Sequence, residues 1–485
     1  MFAPESLAVI GATEVPGSVG RALVENLKSY RRHVYSVNLK RDTILGVPAY
    51  PKIGSVPDHV DLAIIATPAA TVPGIVKECA EAGVTGAMII SSGFKECGPL
   101  GAKLEEAIVA RCGQMRIVGP NCLGVMIPRL GLNATFASRL ARDGRLAFVS
   151  QSGAICSSIL DWSIRERVGF SGFFSVGSMV GVDWGDLIYY LADDWHTKSI
   201  LIYMESMGDA RSFLSAAREV ALAKPIIVLK VGRTTLGAKA VMSHTGSIAG
   251  NDEVFDAAFR RAGVLRVNTL DELFAMAEVL GKQPRPRGSR LAIVTNGGGP
   301  GALAADALVE GDGSLADLSD QTNQTLNKVL PSFWSRSNPV DLLGDAKADR
   351  YAAAVKALIK DPNNDGILIL LSPQATAEPL ATVERLKPLI SRCQKPILAC
   401  WMGGSAVTKA ESVLNAAGVP TFTYPDAAAH AFCLMARYSG NLRALYETPV
   451  LLTASPEGIH RERVETILGE AREARRTLLT ALEAK

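Results

Sequence analysis

The chain has 485 residues, more than one hydrophobic core usually serves, and this length predicts about three domains. Hydrophobic residues make up 48% and charged residues 20%, as in globular proteins, and a formal net charge of +3 gives no basic field for nucleic acid or a membrane surface. The apolar stretches are interrupted by Pro and Asp before they reach a membrane-spanning length, and the N-terminus starts with a strand pattern instead of a signal peptide. The eight cysteines form no CxxC pair, which favours reduced thiols. We therefore expect a cytoplasmic protein that binds neither nucleic acid nor membrane.

Residues 1–130 alternate short apolar runs with helical patterns, beginning with "LAVIGA" and "RALVENLKSY". This alternation predicts a parallel sheet with helices on both faces. The first strand is followed by the segment "VIGATEVPGSVG", in which Gly11, Gly17 and Gly20 depart from the GxGxxG spacing of a dinucleotide-binding loop.

The second strand of this region ends in basic residues instead of an acid. Asn38, Lys40 and Arg41 stand where a carboxylate would bind an unphosphorylated ribose. The cations favour a phosphorylated ribose, as in NADP or in the 3′-phosphate of coenzyme A. Solvated basic residues in a loop would give the same pattern.

The rest of the chain contains an internal repeat, for which we predict two similar α/β domains at 144–283 and 288–450. Three pairs of segments match in the same order: 145–160 with 290–305, 199–206 with 366–373, and 224–234 with 395–405. Buried parallel strands resemble one another in many proteins, but three pairs in order favour duplication. The segment "GKQPRPRGS" at 281–289 is the predicted linker.

The repeat isolates an insertion around a histidine. Gly232 and Gly263 are 31 positions apart in the first copy, whereas Gly403 and Gly418 are 15 apart in the second, so the first copy has 16 extra residues. They correspond to the stretch around "LGAKAVMSHTGSIAG", which contains His244 near its middle. Since the insertion is not needed to complete a sheet, we expect a functional loop. A variable surface loop with an incidental histidine is the alternative.

The residues around His244 favour phosphate chemistry. Ser and Thr hydroxyls and Gly amides are donors that let an anion approach closely, and an imidazole can carry a covalent phosphoryl group. Such a histidine needs an orienting acceptor, for which we expect Glu205 at the end of the strand "ILIYMES". The loops 150–154 and 295–301 each join a strand to a helix and could cradle the anion, although tight turns would give the same glycine pattern.

Six segments in this order resemble the nucleoside-diphosphate-forming acyl-CoA synthetases, the ADP-forming acetyl-CoA synthetase group related to succinyl-CoA synthetase: "IGATEVPGSVG", "GPNCLG", "VSQSGA", "SHTGSIAG", "TNGGGPG" and "NPVDLLG". The resemblance covers nearly all of residues 1–450. It implies a Rossmann-like CoA-binding domain at 1–130, flavodoxin-like parallel-sheet domains at 144–283 and 288–450, and a C-terminal helical linker at 451–485.

The resemblance also implies roles for individual residues. His244 is the phosphorylated histidine, and Glu205 is the acid that holds it. The implied phosphate-binding residues are Ser150, Gln151, Ser152, Gly153, Asn296, Gly297, Gly298 and Gly299. The implied CoA-binding residues are Gly11, Ala12, Thr13, Gly17, Ser18, Val19, Asn38, Lys40, Thr67, Pro68 and Asn121. No metal site is implied in this chain.

The activity that the resemblance implies is the reversible conversion of acyl-CoA, ADP and phosphate to an acid, CoA and ATP through an acyl phosphate and a phosphohistidine. The family needs an ATP-grasp module for ATP, ADP and Mg²⁺, and no candidate for one is seen in the sequence. We therefore expect an ATP-grasp domain or subunit as partner, a homo- or hetero-oligomer, and a small-molecule acid or acyl-CoA as substrate. An apolar stripe from position 464 to 482 predicts a helix that leads into more protein.

Two other functions are left open by the residues. A CoA-binding regulatory protein could keep the pocket without turnover. An NADP-dependent dehydrogenase would use the first domain, but its glycine spacing differs and the other two domains would have no role.

Overall fold

The computed structural model describes residues 1–245, 250–446, 461–474, 476–480 and 482–484, apart from the side chains of 243–245 and 461. Residues 1–445 form one compact unit, and residues 446–485 form a second. The first unit contains three mainly parallel sheets flanked by helices, which confirms the predicted α/β class. Within the described ranges, no helix combines the length and apolar character needed to cross a membrane.

The first sheet has the strand order β3-β4-β2-β1-β5-β6-β7. Its strands are β1 (Ser6–Ile10), β2 (His33–Val37), β3 (Thr43–Ile44), β4 (Val47–Tyr50), β5 (Leu62–Ile65), β6 (Gly86–Ile89) and β7 (Arg116–Val118), and its helices are α1 (Val19–Leu27), α2 (Val72–Glu81) and α3 (Pro99–Arg111). β1 pairs in parallel with both β2 and β5, so the strand order reverses between β1 and β5. Open α/β sheets bind ligands at the carboxyl ends of the strands at such a reversal.

The second sheet has the order β14-β13-β12-β10-β11-β8-β9. Its strands are β8 (Gly124–Ile127), β9 (Leu132–Thr135), β10 (Asp143–Ser150), β11 (Phe170–Ser175), β12 (Ser199–Met204), β13 (Ile226–Lys230) and β14 (Leu265–Val267), and its helices are α4 (Gly153–Arg165), α5 (Trp184–Asp193), α6 (Ala210–Val220), α7 (Thr235–Thr245), α8 (Asp252–Arg261) and α9 (Leu270–Lys282). β8 and β9 form an antiparallel hairpin that pairs with β11. The predicted boundary at residue 130 therefore falls inside a hairpin of the second sheet.

The third sheet has the order β16-β15-β18-β19-β20, with β17 paired to β15. Its strands are β15 (Arg290–Thr295), β16 (Ser314–Leu315), β17 (Val340–Asp341), β18 (Gly366–Leu371), β19 (Ile397–Trp401) and β20 (Thr421–Phe422), and its helices are α10 (Gly298–Glu310), α11 (Asp320–Val329), α12 (Ala348–Lys360), α13 (Pro379–Ile390), α14 (Thr408–Ala416) and α15 (Pro425–Tyr446). Strand for strand, this order matches β11-β10-β12-β13-β14 of the second sheet. The match supports the predicted duplication. In both copies the strand order reverses next to the first strand of the copy, β10 or β15.

The second and third sheets share a core through α15. Its residues are mostly small or apolar, and they pack in one hydrophobic cluster with residues of both sheets. Tyr438 donates its hydroxyl to the carbonyl of Ala221 at 3.3 Å, and Asn441 donates to the carbonyl of Val264 at 3.1 Å. The predicted linker is also tied down, because the Gln283 side chain hydrogen-bonds to the backbone of Ile397 and Gly418.

The second unit contains α16 (Arg461–Glu473). The sequence predicted one helical stripe to position 482, but the described helix ends at Glu473, so this prediction is wrong for Leu478 and Leu482. Positions 451–460 of the predicted linker lie outside the described residues.

Candidate active site

The loop after β1 is shaped by close backbone contacts that require glycine. Gly11 has a φ of 94°, and a Cβ atom there would lie 2.6 Å from the carbonyl oxygen of Ala66 at the end of β5. A Cβ at Gly20 would lie 2.1 Å from the carbonyl oxygen of Gly11. Gly17 has a φ of 76°. These contacts hold the loop against the carboxyl ends of β1 and β5, where a ligand is expected.

Polar side chains fix the same loop internally. Thr13 accepts a hydrogen bond from the Val15 amide at 3.3 Å, and Ser18 donates to the Val15 carbonyl at 2.7 Å while capping α1. Asn38, at the end of β2, donates to the Ala12 carbonyl at 2.8 Å. The predicted residues Thr13, Ser18 and Asn38 therefore hold the loop in place, and the helix end that they expose favours an anion.

Two lysines line a pocket of about 280 Å³ beside this loop. Lys40, whose amide donates to the Asn38 side chain at 2.8 Å, was predicted. Lys52, which enters from the segment after β4, was not predicted from the sequence. Arg41 instead forms an exposed ion pair with Glu14 at 2.7 Å. The pocket lining thus includes two exposed lysines, which suit a phosphate, together with one acid, Glu78.

The loop after β10 is built around Ser150. The buried Ser150 hydroxyl bonds both the amide and the carbonyl of Ser152, each at 3.0 Å. Ser152 caps α4 by accepting from the Ile155 amide, so Gly153 is the first residue of the helix. Ser150 therefore shapes the turn, while the amides of the first helical turn remain the groups suited to an anion.

Gln151 connects this loop to the end of β12. Its side-chain oxygen accepts from the amides of Glu205 at 2.6 Å and Ser206 at 2.8 Å, and its nitrogen donates to the Ser206 hydroxyl at 2.8 Å. The sequence predicted a phosphate contact for Gln151, but the structure engages its side chain in placing Glu205. Glu205 is 8% exposed and lies at the reversal between β10 and β12.

The loop after β15 repeats this construction. The Thr295 hydroxyl bonds the amide and the carbonyl of Gly297, and the Asn296 side chain bonds the amide and the carbonyl of Ser372. Ser372 thus occupies in the third sheet the position that Glu205 occupies in the second. Gly298 and Gly299 begin α10. The second copy has the turn without the acid.

The predicted histidine loop is partly a helix. Gly232, with a φ of 75°, turns the chain after β13, and the Thr234 hydroxyl accepts from the Gly237 amide at 3.0 Å at the start of α7. The backbone of His244 lies in the last turn of α7, whereas its side chain lies outside the described residues, as do residues 246–249 entirely. α7 packs against a short 3₁₀ helix, Lys95–Cys97, of the first sheet's domain. The insertion therefore contacts the domain of the first sheet.

A cleft of about 620 Å³, here called the central cleft, lies between the domains of the first two sheets. Its lining comprises Val19, Ala66, Thr67, Pro68, Ile90, Ser91, Ser92, Asn121, Cys122, Leu123, Phe136, Gln151, Ser152, Gly153, Ala154 and Ser157. The described lining has no charged side chain, and it combines four predicted CoA-binding residues with three predicted phosphate-binding ones. Thr67 lines the lysine pocket as well, so the two cavities are neighbours.

Asn121 has an unusual backbone conformation in the central cleft. Its φ is 57°, and its amide donates to the Ser91 carbonyl at 2.9 Å. A left-handed conformation at a non-glycine residue stores strain and is common at ligand-binding sites. The neighbouring Cys122 was interpreted as a small buried side chain, and burial indeed raises the pKa of its thiol to about 12.

Three family models match the chain in succession. They are a CoA binding domain at residues 5–128, a succinyl-CoA ligase like flavodoxin domain at 143–280, and a Ligase-CoA domain at 291–444. The chain is 41% identical over 443 residues to the α subunit of acetate–CoA ligase (ADP-forming) II from Pyrococcus furiosus, covering 90% of this chain and 96% of that subunit. The chain belongs to the ADP-forming acetate–CoA ligase family.

Two further relatives differ in the share of their length that the chain covers. It is 43% identical over 441 residues to acetate–CoA ligase (ADP-forming) I from Archaeoglobus fulgidus, with 90% of this chain and only 63% of that relative covered. The structure of acetyl-CoA synthetase 1 from Candidatus Korarchaeum cryptofilum, in complex with phosphate and ADP, superposes with a TM-score of 0.81 at 35% identity, covering 92% of this chain and 96% of that chain. The chain thus covers 96% of the Pyrococcus α subunit but only 63% of the Archaeoglobus ligase.

Several residues of this ligase chain escaped the sequence analysis. Ser91, Ser92 and Phe136 line the central cleft but belong to none of the six family-like segments. Phe136 is 39% exposed, and the carbonyls on either side of it both accept from Asn26 at 2.7 and 2.8 Å. An aromatic ring exposed on a fixed backbone favours contact with a ligand.

Within the part of the chain that the structure describes, no group of three His, Cys, Asp or Glu residues is arranged to hold a metal ion.

Proposed function

We propose that the chain carries out the acyl-phosphate and phosphohistidine steps of an ADP-forming acyl-CoA synthetase. The observation that supports this most directly is the central cleft, in which Thr67 and Asn121 from the CoA-binding part stand with Ser152 and Gly153 at the N-terminus of α4. A thioester and a phosphate could meet there. Such a reaction depends mainly on positioning and charge stabilisation, which fixed amides at a helix N-terminus supply.

CoA is the molecule that fits both cavities. Its phosphorylated ribose would lie in the pocket with Lys40 and Lys52, and its pantetheine arm would pass Thr67 into the central cleft. The loop around Gly11 and Gly20 would then approach the pyrophosphate at the N-terminus of α1.

The chemistry follows in two steps. An oxygen of inorganic phosphate attacks the acyl carbon, the thiolate of CoA leaves, and an acyl phosphate forms. A ring nitrogen of His244 then attacks the phosphorus and the carboxylate leaves as the free acid. Glu205 would accept the other ring N–H and support the positive charge of the phosphorylated ring. ADP finally takes the phosphoryl group with Mg²⁺ in an ATP-grasp domain or partner subunit, and ATP drives the same steps in reverse.

The decisive experiment is the intact mass of the protein after mixing with inorganic phosphate and a panel of acyl-CoA thioesters. We expect an acid-labile gain of one phosphoryl group that is absent in His244→Ala. This half-reaction needs no nucleotide and identifies the acyl group. No gain with any thioester, while CoA still binds, would favour the regulatory alternative. The family placement argues against the NADP-dependent dehydrogenase.

A further inference from the structure

Lys230 is a buried lysine that the proposed reaction does not use. It is the last residue of β13 and is 2% exposed. In the parallel ladder it pairs with Met204, the residue before Glu205. Its ammonium donates to the carbonyl of Val231 and lies 4.9 Å from the ring centre of Phe255. The cation is therefore held at the end of the strand next to the proposed acid.

The charged groups around Lys230 come from three neighbouring elements. They are Glu205 after β12, Asp252 on α8 and Arg266 on β14. Burial lowers the pKa of Lys230, whereas the carboxylates of Asp252 and Glu205 raise it. Arg266 forms an ion pair with Asp252 and lies near Asp256, and the Glu205 carboxylate acts on Lys230 from the neighbouring strand.

Tyr203, one residue before Met204 in β12, is another titratable group on which Glu205 acts. Burial raises the pKa of Tyr203 to about 12, and the Glu205 carboxylate adds to the rise. Tyr203 therefore stays neutral at physiological pH and supplies no charge, whereas Lys230 places a positive charge near Glu205.

The duplicated sheet provides an internal comparison for this lysine. In the third sheet the corresponding pair in the ladder is Leu371 with Trp401, and Trp401 is 1% exposed. The second copy thus fills the Lys230 position with an apolar side chain and has Ser372 in place of Glu205. The fold does not require a lysine here, and burying an ammonium costs several kcal/mol before compensation.

A second lysine of the same strand segment behaves differently. Lys224, just before β13, donates to the carbonyls of Leu191 and Asp194 at 2.7 Å each, and its counterpart Lys395 in the third sheet also bonds a backbone carbonyl. A lysine present in both copies and bonded to loop carbonyls has a structural role. Lys230 is present only in the copy with the acid and α7.

We propose that Lys230 is a positioning residue of the phosphoryl-transfer site, whose ammonium keeps the buried Glu205 carboxylate ionised and oriented for the imidazole of His244. The inference rests on the proposed function. A protonated Glu205 could not accept the imidazole N–H or support a cationic phosphorylated ring. The positive charge at the end of β13 removes that obstacle.

The test compares Lys230→Met, Lys230→Arg and Lys224→Met in the phosphorylation half-reaction, measured as initial rate against pH with saturating phosphate and acyl-CoA. Without the cation, Glu205 takes up a proton at higher pH, so the acidic limb of the rate profile of Lys230→Met moves upward by about one pH unit or more. Lys230→Arg keeps the charge and the wild-type limb. We expect Lys224→Met to lower the thermal midpoint without moving the limb.

Thermal unfolding separates this role from a structural one. Removing one member of a buried charge pair leaves the other uncompensated and destabilises the fold. Lys230→Met should therefore unfold earlier than wild type at pH 8, and the difference should shrink at lower pH, where Glu205 takes up a proton. Lys224→Met should instead lose the same stability at both pH values. If a folded Lys230→Met protein shows no shift of the acidic limb, the inference about Lys230 is wrong, while the proposed function still stands. Should Lys230→Met not fold, Lys230→Gln against Lys230→Arg gives the same comparison. Absence of phosphorylation in wild type would instead overturn the proposed function.

Discussion

Single side chains in this chain act mainly by placing other groups. Gln151 and Asn296 show this, because each spans two neighbouring strand ends and bonds the backbone of the residue that matters, Glu205 in one copy and Ser372 in the other. A buried amide left without its partner costs about 1–3 kcal/mol, so such a contact fixes the strand end firmly. The position of Glu205 in the site therefore depends on the side chain of Gln151.

Replacing Glu205 by Gln should slow phosphorylation of His244 roughly 10–100-fold, the usual effect of altering a carboxylate that orients an imidazole. The amide keeps the size of the side chain but loses the charge that supports the phosphorylated ring. CoA affinity, measured by calorimetry, should stay within twofold, about 0.4 kcal/mol. An equal fall in CoA affinity would show that Glu205 has been assigned to the wrong ligand.

Glu272 offers a matched control for that substitution. One of its carboxylate oxygens lies 3.2 Å from the Nε2 atom of His430 and the other accepts from the Asn268 amide, so it is a carboxylate beside an imidazole away from the central cleft. Glu272→Gln should leave the phosphorylation rate unchanged.

The sequence predicts some of these residues well and others poorly, for a physical reason. His244 stands out because the second copy lacks the insertion, and Glu205 because it is a carboxylate at the end of an apolar strand pattern. The function of Gln151 depends on partners 54 and 55 positions away in the chain, and Lys230 is a charged residue inside an apolar strand pattern. Neither contact leaves a local signal, so only the folded sheet reveals it.

At the scale of elements, the insertion was expected to be a loop and is largely α7. Its stretch "TLGAKAVM" is rich in strong helix formers, and Thr234 caps it. The interpretation as a loop came from Ser, Thr and Gly around His244, which are typical of the end of a helix as well as of a loop. Helix α7 places the backbone of His244 at its C-terminal turn.

The N-terminus of α4 gives a prediction for the phosphate site. A Cβ on Gly153 would make only ordinary contacts, with the nearest atom 3.8 Å away, so Gly153→Ala should fold normally and gain about 0.4–1 kcal/mol. Its methyl group would nevertheless keep an anion away from the first helical amides, and a displacement of about 1 Å can cost 10²-fold in rate. Chemical denaturation and the phosphorylation rate together measure both effects.

Gly281→Ala, in α9, is the control for this substitution. Nothing lies within 4 Å of a Cβ at that position, so stability should rise while the rate stays the same. If Gly153→Ala also keeps the wild-type rate, the phosphate does not approach the α4 amides.

For the whole molecule, the sequence predicts three successive α/β domains, and in the structure the strand order of the first two sheets reverses next to β1 and β10, where such sheets bind ligands. Two features of the fold could not be predicted from the sequence. The hairpin β8–β9 crosses the predicted boundary to complete the second sheet, and α15 returns from the third domain to pack on the second. Both depend on pairing and packing between distant segments, which local patterns do not encode.

The coverage of the relatives leads to a last prediction about the chain as a whole. The three matched models account for residues 5–128, 143–280 and 291–444, and none of them is an ATP-grasp module. The chain alone should therefore take a phosphoryl group from phosphate and acyl-CoA but should not pass it to ADP.

Protein labelled with radioactive phosphate at His244, freed of small molecules and incubated with ADP and Mg²⁺, should keep its label and form no ATP. Addition of the enzyme's ATP-grasp subunit should release the label as ATP, with the His244→Ala protein as the unlabelled control. Formation of ATP by the chain alone would show that the three-sheet unit binds the nucleotide itself, and the division of labour between the CoA-binding part and an ATP-grasp part would then have to be abandoned.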